Sequence, residues 1–314
     1  MNLSEILAKG HTIGISGHTK PDGDCIGSTL GLYNYIKLYY PEKEVSLYLE
    51  EPPSEFLFLH GVDEIKHEKE ENKVFDVYFA LDCGDSKRLG EFGEHFENAH
   101  FTACVDHHKS NLSFADDNYI VPEASSTSEL IFNLMEQEKI TKEIAECLYL
   151  GMVHDTGVFQ YSCTHASTMN AAGVLMDKGI DYSRIVDESY YEKTLAQNKI
   201  LAKAVLDAEC YFDGQVIYTV VTQKEMEEFG VTTKDLSGIV NQIRITKGVE
   251  VAVFVYENKE QDYKVSMRSK RFVDVSEIAV RHGGGGHARA AGVNISGSEK
   301  EVKDLILKEL SKYF

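Results

Sequence analysis

Apolar residues recur along this chain in two alternating rhythms. Residues 12–17 (Thr-Ile-Gly-Ile-Ser-Gly) and 44–50 (Glu-Val-Ser-Leu-Tyr-Leu-Glu) read as strands, and residues 25–40 between them carry apolar side chains at helical spacing. Residues 74–82 and 101–106 are two further apolar runs, each ending in an aspartate. Helices are predicted at 126–137, at 142–153 behind Thr141 as N-cap, and at 165–178 behind Thr164. Strands that alternate with helices predict an α/β architecture with a mostly parallel sheet covered by helices on both faces. Ligands collect beyond the carboxyl ends of such strands, so the polar residues closing each run are expected to converge there.

The rhythm changes in the last third. Residues 182–208 contain no Gly or Pro and predict one long helix, followed by an Asp-Gly hairpin turn at 212–215. Strands are predicted at 216–221, 249–256 and 262–267, with helices at 234–246 and 298–313. The expected organisation is a first domain over 1–182, a helical connector over 183–209 and a smaller C-terminal α/β domain over 210–314.

Length and composition narrow the class. A chain of 314 residues suits about two domains. Hydrophobic content of 43% and charged content of 26% are ordinary for a globular protein. No apolar run approaches the ~18 residues of a membrane span, so no membrane partner is expected. The N-terminus lacks a basic start followed by an apolar core, and the six cysteines (25, 83, 104, 147, 163, 210) form no C-x-x-C pair. Reduced thiols in the cytoplasm are expected. The net charge of −19 is unevenly spread: residues 1–209 carry 17 basic and 36 acidic side chains, and residues 210–314 carry 15 of each. An acidic surface opposes binding of long nucleic acid, but not a site that holds cations.

Four separated segments place Asp and His at the ends of predicted elements: His18-Thr-Lys-Pro-Asp22-Gly-Asp24, Asp82-Cys-Gly-Asp85, Asp106-His107-His108 and His154-Asp155-Thr-Gly157. Hard divalent cations favour carboxylate oxygen, and imidazole shifts the preference toward Mn, Fe or Zn. Two ions ~3.5–4 Å apart need a bridging carboxylate and several terminal ligands, and the four segments offer enough of both. Singly, each has a bland reading as a turn, cap or surface pair. Asp155-Thr-Gly also matches the aspartic-protease triplet, but that chemistry needs a second copy and a different preceding element.

In this order the four segments resemble the motif set of the DHH phosphoesterases. Gly283-Gly-Gly-Gly-His287-Ala-Arg-Ala-Ala-Gly292 is similar to the glycine-rich motif of the DHH-associated C-terminal domain. The two-lobe order and size resemble the group of that family acting on short oligoribonucleotides and 3′-phosphoadenosine 5′-phosphate (pAp). The resemblance implies His18, Asp22 and Asp82 as ligands of one ion, and Asp24, Asp82, His107 and Asp155 as ligands of the other, with Asp82 bridging. It implies His108 as the contact to the scissile phosphate and Asp106 as the residue that orients the adjacent histidines. The implied cofactor is two Mn2+ per chain, with Mg2+ or Co2+ as substitutes. Arg268, Gly284, Gly285, Gly286 and His287 are the implied substrate contacts.

Local charge agrees with a small anionic ligand. Residues 264–289 hold Lys264, Arg268, Lys270, Arg271, Arg281 and Arg289 against Asp274 and Glu277 only. A flexible turn beside a solvated basic face is the alternative. The expected activity is metal-assisted hydrolysis of nanoRNA to mononucleotides and of pAp to AMP and phosphate, with no long duplex as partner. A cyclic-dinucleotide or linear pApA phosphodiesterase, and a non-catalytic nucleotide sensor, are the competing readings. The sequence leaves a homodimer open.

Overall fold

The computed structural model describes all 314 residues apart from the side chain of His287. The chain divides into two compact units, Met1–Glu192 and Lys193–Phe314. In the first, strands β1 (Thr12–Ser16), β2 (Glu44–Tyr48), β3 (Ile65–Lys66), β4 (Val77–Leu81), β5 (Phe101–Asp106) and β6 (Asp117–Ile120) form one sheet. Their order is β3-β2-β1-β4-β5-β6, and every pairing is parallel. Chain order therefore reverses between β1 and β4, where a crevice opens beyond the carboxyl ends of the strands.

Seven helices flank this sheet: α1 (Leu3–Leu7), α2 (Gly23–Tyr39), α3 (Gly93–Glu97), α4 (Thr127–Leu134), α5 (Lys142–Asp155), α6 (Ala166–Asp177) and α7 (Tyr182–Val186). Alternation along β4 serves both faces. Val77, Phe79 and Leu81 enter a core with Ile26 and Leu30 of α2 and Leu148 of α5. Tyr78 and Ala80 enter another with Phe75, Phe92 and Phe96. A strand buried on both sides needs an unbroken apolar run, and Val77–Leu81 supplies it between Asp76 and Asp82. Each fully buried Val, Leu, Ile or Phe among these contributes roughly 1.5–3 kcal/mol. Among the described residues no helix is long and apolar enough to cross a membrane.

The second unit has strands β7 (Glu209–Tyr211), β8 (Val216–Val221), β9 (Val251–Lys259), β10 (Asp262–Ser269), β11 (Gly285–His287) and β12 (Ala290–Ser296) in the order β11-β12-β10-β9-β8-β7. Only β8 and β9 pair in parallel. Their crossover carries α9 (Gln223–Phe229) and α10 (Ile239–Arg244). Helix α8 (Leu195–Leu206) precedes the sheet, and α11 (Val275–Arg281) and α12 (Glu299–Leu310) complete the unit. Tyr211 faces Val216 across the hairpin, and Phe212 and Asp213 both have positive φ (52° and 53°), as a tight primed turn requires.

Three expectations change. The continuous helix over 182–208 is two helices: α7 runs into a π-helical turn at Asp187–Tyr191, Glu192 is extended, and α8 starts afresh. Thr194 caps α8, with Gln197 returning a bond to the Thr194 N–H. That capping box starts a new helix without any Gly or Pro. The helix over 234–246 is interrupted at Gly238, whose φ is +87°. The helix over 126–137 ends at Leu134, before extended Met135 and Glu136.

Candidate metal centre

Each polar group of the centre is delivered by the end of an element in the first unit. His18 follows β1 and is 4% exposed. Its Nδ1 lies 2.9 Å from the Thr19 carbonyl, which leaves Nε2 to face Asp22 Oδ2 at 3.6 Å and Asp82 Oδ2 at 3.5 Å. Asp22 is the N-cap of α2 and accepts from the backbone N–H groups of Asp24 and Cys25. Asp24 is fully buried in the first turn of α2. Its Oδ2 accepts from the Thr127 N–H (2.6 Å) and its Oδ1 from the Ser128 N–H (2.9 Å), so it sits on the amino end of α4. A Cβ on Gly151 would stand 2.8 Å from that Oδ1 and 2.0 Å from Ser128 Oγ. Helix α5 can therefore pass directly over Asp24 and present Asp155 at its last turn.

Asp82 ends β4 in the left-handed region, with φ +56°, and its N–H bonds the Val105 carbonyl at 3.0 Å. Asp106 ends β5, fully buried. Its Oδ1 accepts from His108 Nδ1 and its Oδ2 from Asn111 Nδ2, both at 2.7 Å. Asn111 also bonds the Cys83 carbonyl (2.9 Å), tying the loop after β5 to the loop after β4. His107 Nε2 lies 2.9 Å from Asp155 Oδ2, 3.7 Å from Asp82 Oδ1 and 4.0 Å from Asp24 Oδ2.

The structure thus brings together all six residues expected to hold metal, in two clusters. His18, Asp22 and Asp82 form one and Asp24, His107 and Asp155 the other. Asp82, His107 and His108 also lie within reach of one another. The two oxygens of Asp82 face opposite clusters. The electrostatics fit cations. Burial opposes charge on His18 and His107, but the neighbouring carboxylates outweigh it and raise His18 to about 10 and His107 to about 11. Burial, with the charges of Asp82 and Asp155, pushes Asp24 well above the ordinary carboxylate range. Burial raises Asp155 as well. Crowded carboxylates that retain protons are what a divalent ion would relieve, and mixed carboxylate and imidazole donors suit Mn-type metals. The hydrogen bond to Asp106 raises His108 against the opposing effect of burial.

Two residues of the sequence motifs serve the fold. His154 contacts the Ser189 hydroxyl through Nε2 (3.1 Å), packs edge-on against Phe56 and Tyr190, and is lowered to about 4 by burial. Asp85 caps the turn that follows, accepting from the Lys87 N–H. Sequence reading missed Asn111 and Thr127. The latter carries a signal: Ser125-Ser126-Thr127 supplies more hydroxyls than one helix cap uses.

In the second unit Arg268 is half-buried on β10, opposite Ala290 of β12, which in turn faces His287 of β11. The expected contacts Arg268 and His287 therefore share one cross-strand row; the His287 side chain lies outside the described residues. Gly286 has φ +139°, and a Cβ there would stand 2.4 Å from the Ala290 carbonyl; one on Gly284 would stand 2.3 Å from the Gly292 carbonyl. Pairing with β12 itself demands these two glycines, whereas Gly285 faces open space. Of the local cations, Arg281 pairs with Glu309 at 3.1 Å.

Comparison with known proteins agrees with this geometry. Residues 12–152 match the DHH family, N-terminal domain, and residues 213–314 match the DHHA1 domain. A probable bifunctional oligoribonuclease and PAP phosphatase NrnA of Streptococcus mutans is 31% identical over 308 residues, covering 96% of this chain and 95% of that protein. The bifunctional oligoribonuclease and PAP phosphatase NrnA of Thermus thermophilus is 28% identical over 305 residues, 95% and 90% of the two chains. The crystal structure of an exopolyphosphatase-related protein from Bacteroides fragilis superposes with a TM-score of 0.91 at 28% identity, over 99% of this chain and 94% of that one. With both halves matched in order, the chain belongs to the DHH family and carries a DHHA1 domain behind its DHH domain.

Proposed function

We propose that this protein is a two-metal phosphoesterase that hydrolyses short oligoribonucleotides to mononucleotides and pAp to AMP and phosphate. The observation that carries the reading is the split of Asp82, with Oδ2 3.5 Å from His18 and Oδ1 3.7 Å from His107, one oxygen toward each cluster. DHH phosphoesterases depend on metal, and the relatives of similar length are named for these two substrates. His18, Asp22 and Asp82 would hold one Mn2+, and Asp24, Asp82, His107 and Asp155 the other. When bound, such ions lower the pKa of water toward neutrality and neutralise charge on phosphoryl oxygens.

The chain's own groups do the rest. Asp106 accepts a hydrogen bond from His108 Nδ1 and favours the protonated ring, whose Nε2–H can then donate to a phosphoryl oxygen and stabilise charge there. Asn111 holds Asp106 in that orientation. Water adds to phosphorus, the P–O bond to the ribose breaks, and the released 3′-oxygen takes a proton. Arg268, the glycines 284–286 and His287 bind the nucleotide, so the second unit selects the substrate. This division places catalysis in residues 1–182 and substrate binding in 210–314, in a cytoplasmic protein with reduced thiols, and all six cysteines are free in the structure.

A substrate panel tests the reading. Purified protein with Mn2+ should convert pAp to AMP and RNA of about 2–5 nucleotides to mononucleotides, with efficiency falling toward about 20 nucleotides because residues 210–314 carry as many acidic as basic side chains and the basic excess lies within residues 264–289. Faster turnover of pApA or cyclic-di-AMP than of pAp would replace this reading with the cyclic-dinucleotide one. Nucleotide binding with no turnover in Mn2+ would make the chain a sensor.

A further inference from the structure

We propose that Thr127 is a positioning residue of the metal centre, whose hydroxyl fixes the Asp82 carboxylate so that each oxygen faces a different ion. The inference rests on the two-metal reading above and adds to it a residue outside the expected ligand set. Thr127 opens α4 and is fully buried. Its Oγ1 donates to Asp82 Oδ1 at 3.1 Å, while its N–H donates to Asp24 Oδ2 at 2.6 Å. One residue thus grips a carboxylate from each half of the centre.

The hydroxyl is not needed to start the helix. Ser126 is the N-cap, and its Oγ accepts from the Glu129 N–H at 3.1 Å. The segment is anchored independently of the centre as well. Buried Glu129 accepts from the Ser125 N–H (3.2 Å) and from the Thr168 hydroxyl of α6 (2.9 Å), and its carboxyl is held below the usual range by these bonds against the effect of burial. Helix α4 is therefore a fixed platform from which Thr127 reaches Asp82. The Asp82 backbone is in the left-handed region, costly for a residue with a Cβ, so its surroundings must hold it there, and the Thr127 hydroxyl bond is one contact that does so through the side chain. A carboxylate oxygen has two lone pairs: with one on Thr127, the other remains for a ligand on the His107 side. Oδ2 is then left for the His18 side.

The test compares full-length Thr127→Val, which keeps the shape and removes the hydroxyl, with Thr127→Ser, which keeps the hydroxyl. Mn2+ affinity is read by calorimetry, and kcat and KM for pAp are read at saturating Mn2+. Loss of an outer hydrogen bond to a metal ligand typically weakens binding about 10- to 100-fold, and that loss is expected for Thr127→Val, with Thr127→Ser within about threefold of the parent. The pAp KM should stay within about threefold while kcat falls, since no substrate contact is removed. Circular dichroism of the metal-free variants checks the fold, and Thr127→Ala repeats the comparison if Thr127→Val does not fold. Parent-like Mn2+ affinity in Thr127→Val, or a Thr127→Ser as weak as Thr127→Val, overturns the inference and leaves the two-metal reading standing. Loss of fold in both hydroxyl-free variants overturns it too, because the hydroxyl would then serve the fold. A parent chain that binds no Mn2+ removes the centre and this inference together.

Discussion

Asp82→Asn separates a bridging carboxylate from a terminal one. Asparagine keeps the shape and one neutral oxygen, but removes a full charge from a position 2% exposed. At about 4 Å and an effective dielectric near 20, a unit pair is worth about 4 kcal/mol. A dication gains more than that, and part returns through the retained oxygen and the smaller desolvation cost, so we take about 3 kcal/mol per ion, roughly two orders of magnitude in affinity. The essential point is that both affinities should fall, because Oδ2 faces His18 and Oδ1 faces His107. Asp22→Asn is the contrast. Its carboxylate belongs to the His18 cluster alone and its side chain is 60% exposed, so one affinity should fall and the other stay. Two-site Mn2+ calorimetry reads the affinities, and pAp turnover at matched Mn2+ reads the consequence. If Asp82→Asn weakens one site only, as Asp22→Asn does, or keeps two ions with full activity, the bridging assignment is wrong.

Other perturbations separate the remaining roles. His108→Ala should leave Mn2+ affinity within about threefold and lower kcat about 10²- to 10⁴-fold, measured on pAp, because it removes a charge-stabilising contact and no proposed ligand. Arg268→Ala should raise KM for pAp about 10- to 150-fold, the worth of a charge-assisted bond, and spare bis-p-nitrophenyl phosphate, which has little nucleotide to hold. His154 is kept neutral by burial, with a folded pKa of about 4 against 6.5 when free. The unfolded chain therefore binds the extra proton first, and the His154 contribution to stability falls as pH drops from 6.5 toward 4, by about 2 kcal/mol at pH 5, while His18 and His107, raised to about 10 and 11, act in the opposite sense in the metal-free protein. Urea unfolding of the metal-free parent and of His154→Asn at pH 7 and pH 5 checks this: the parent should lose about 2 kcal/mol relative to His154→Asn between the two, and an equal change in both proteins would refute it.

Some of this molecule was legible in one dimension and some was not. The mainly apolar runs at 12–17, 74–82 and 101–106 announced parallel strands because a strand buried on both faces is apolar along most of its length. The aspartates and histidines closing those runs stood out for a related reason: a buried run ends where its first polar side chain can be satisfied. The break at Glu192 was less visible. The new helix is announced by Thr194 and Gln197, a pairing that a search for Gly or Pro passes over. Strands β11 and β12 were hidden because their glycines read as a loop, whereas pairing is what excludes a Cβ at Gly284 and Gly286.

By itself, then, the sequence determined the kind of chemistry, since the spacing of Asp and His at strand ends is a local property and needs no partner to be read. It also determined the two-unit α/β plan, through hydrophobic period. Tertiary structure alone decided how those groups are held. Asp24 gains its donors from Thr127 and Ser128, more than a hundred positions away in the chain, and Asp155 reaches the centre only because Gly151 lets α5 pass over Asp24. It also decided which motif residues turn away, as His154 does toward Ser189. The physical reason is the same in each case. The donor that orients a buried carboxylate is chosen by proximity after packing, and proximity between distant segments is not written in the spacing of either.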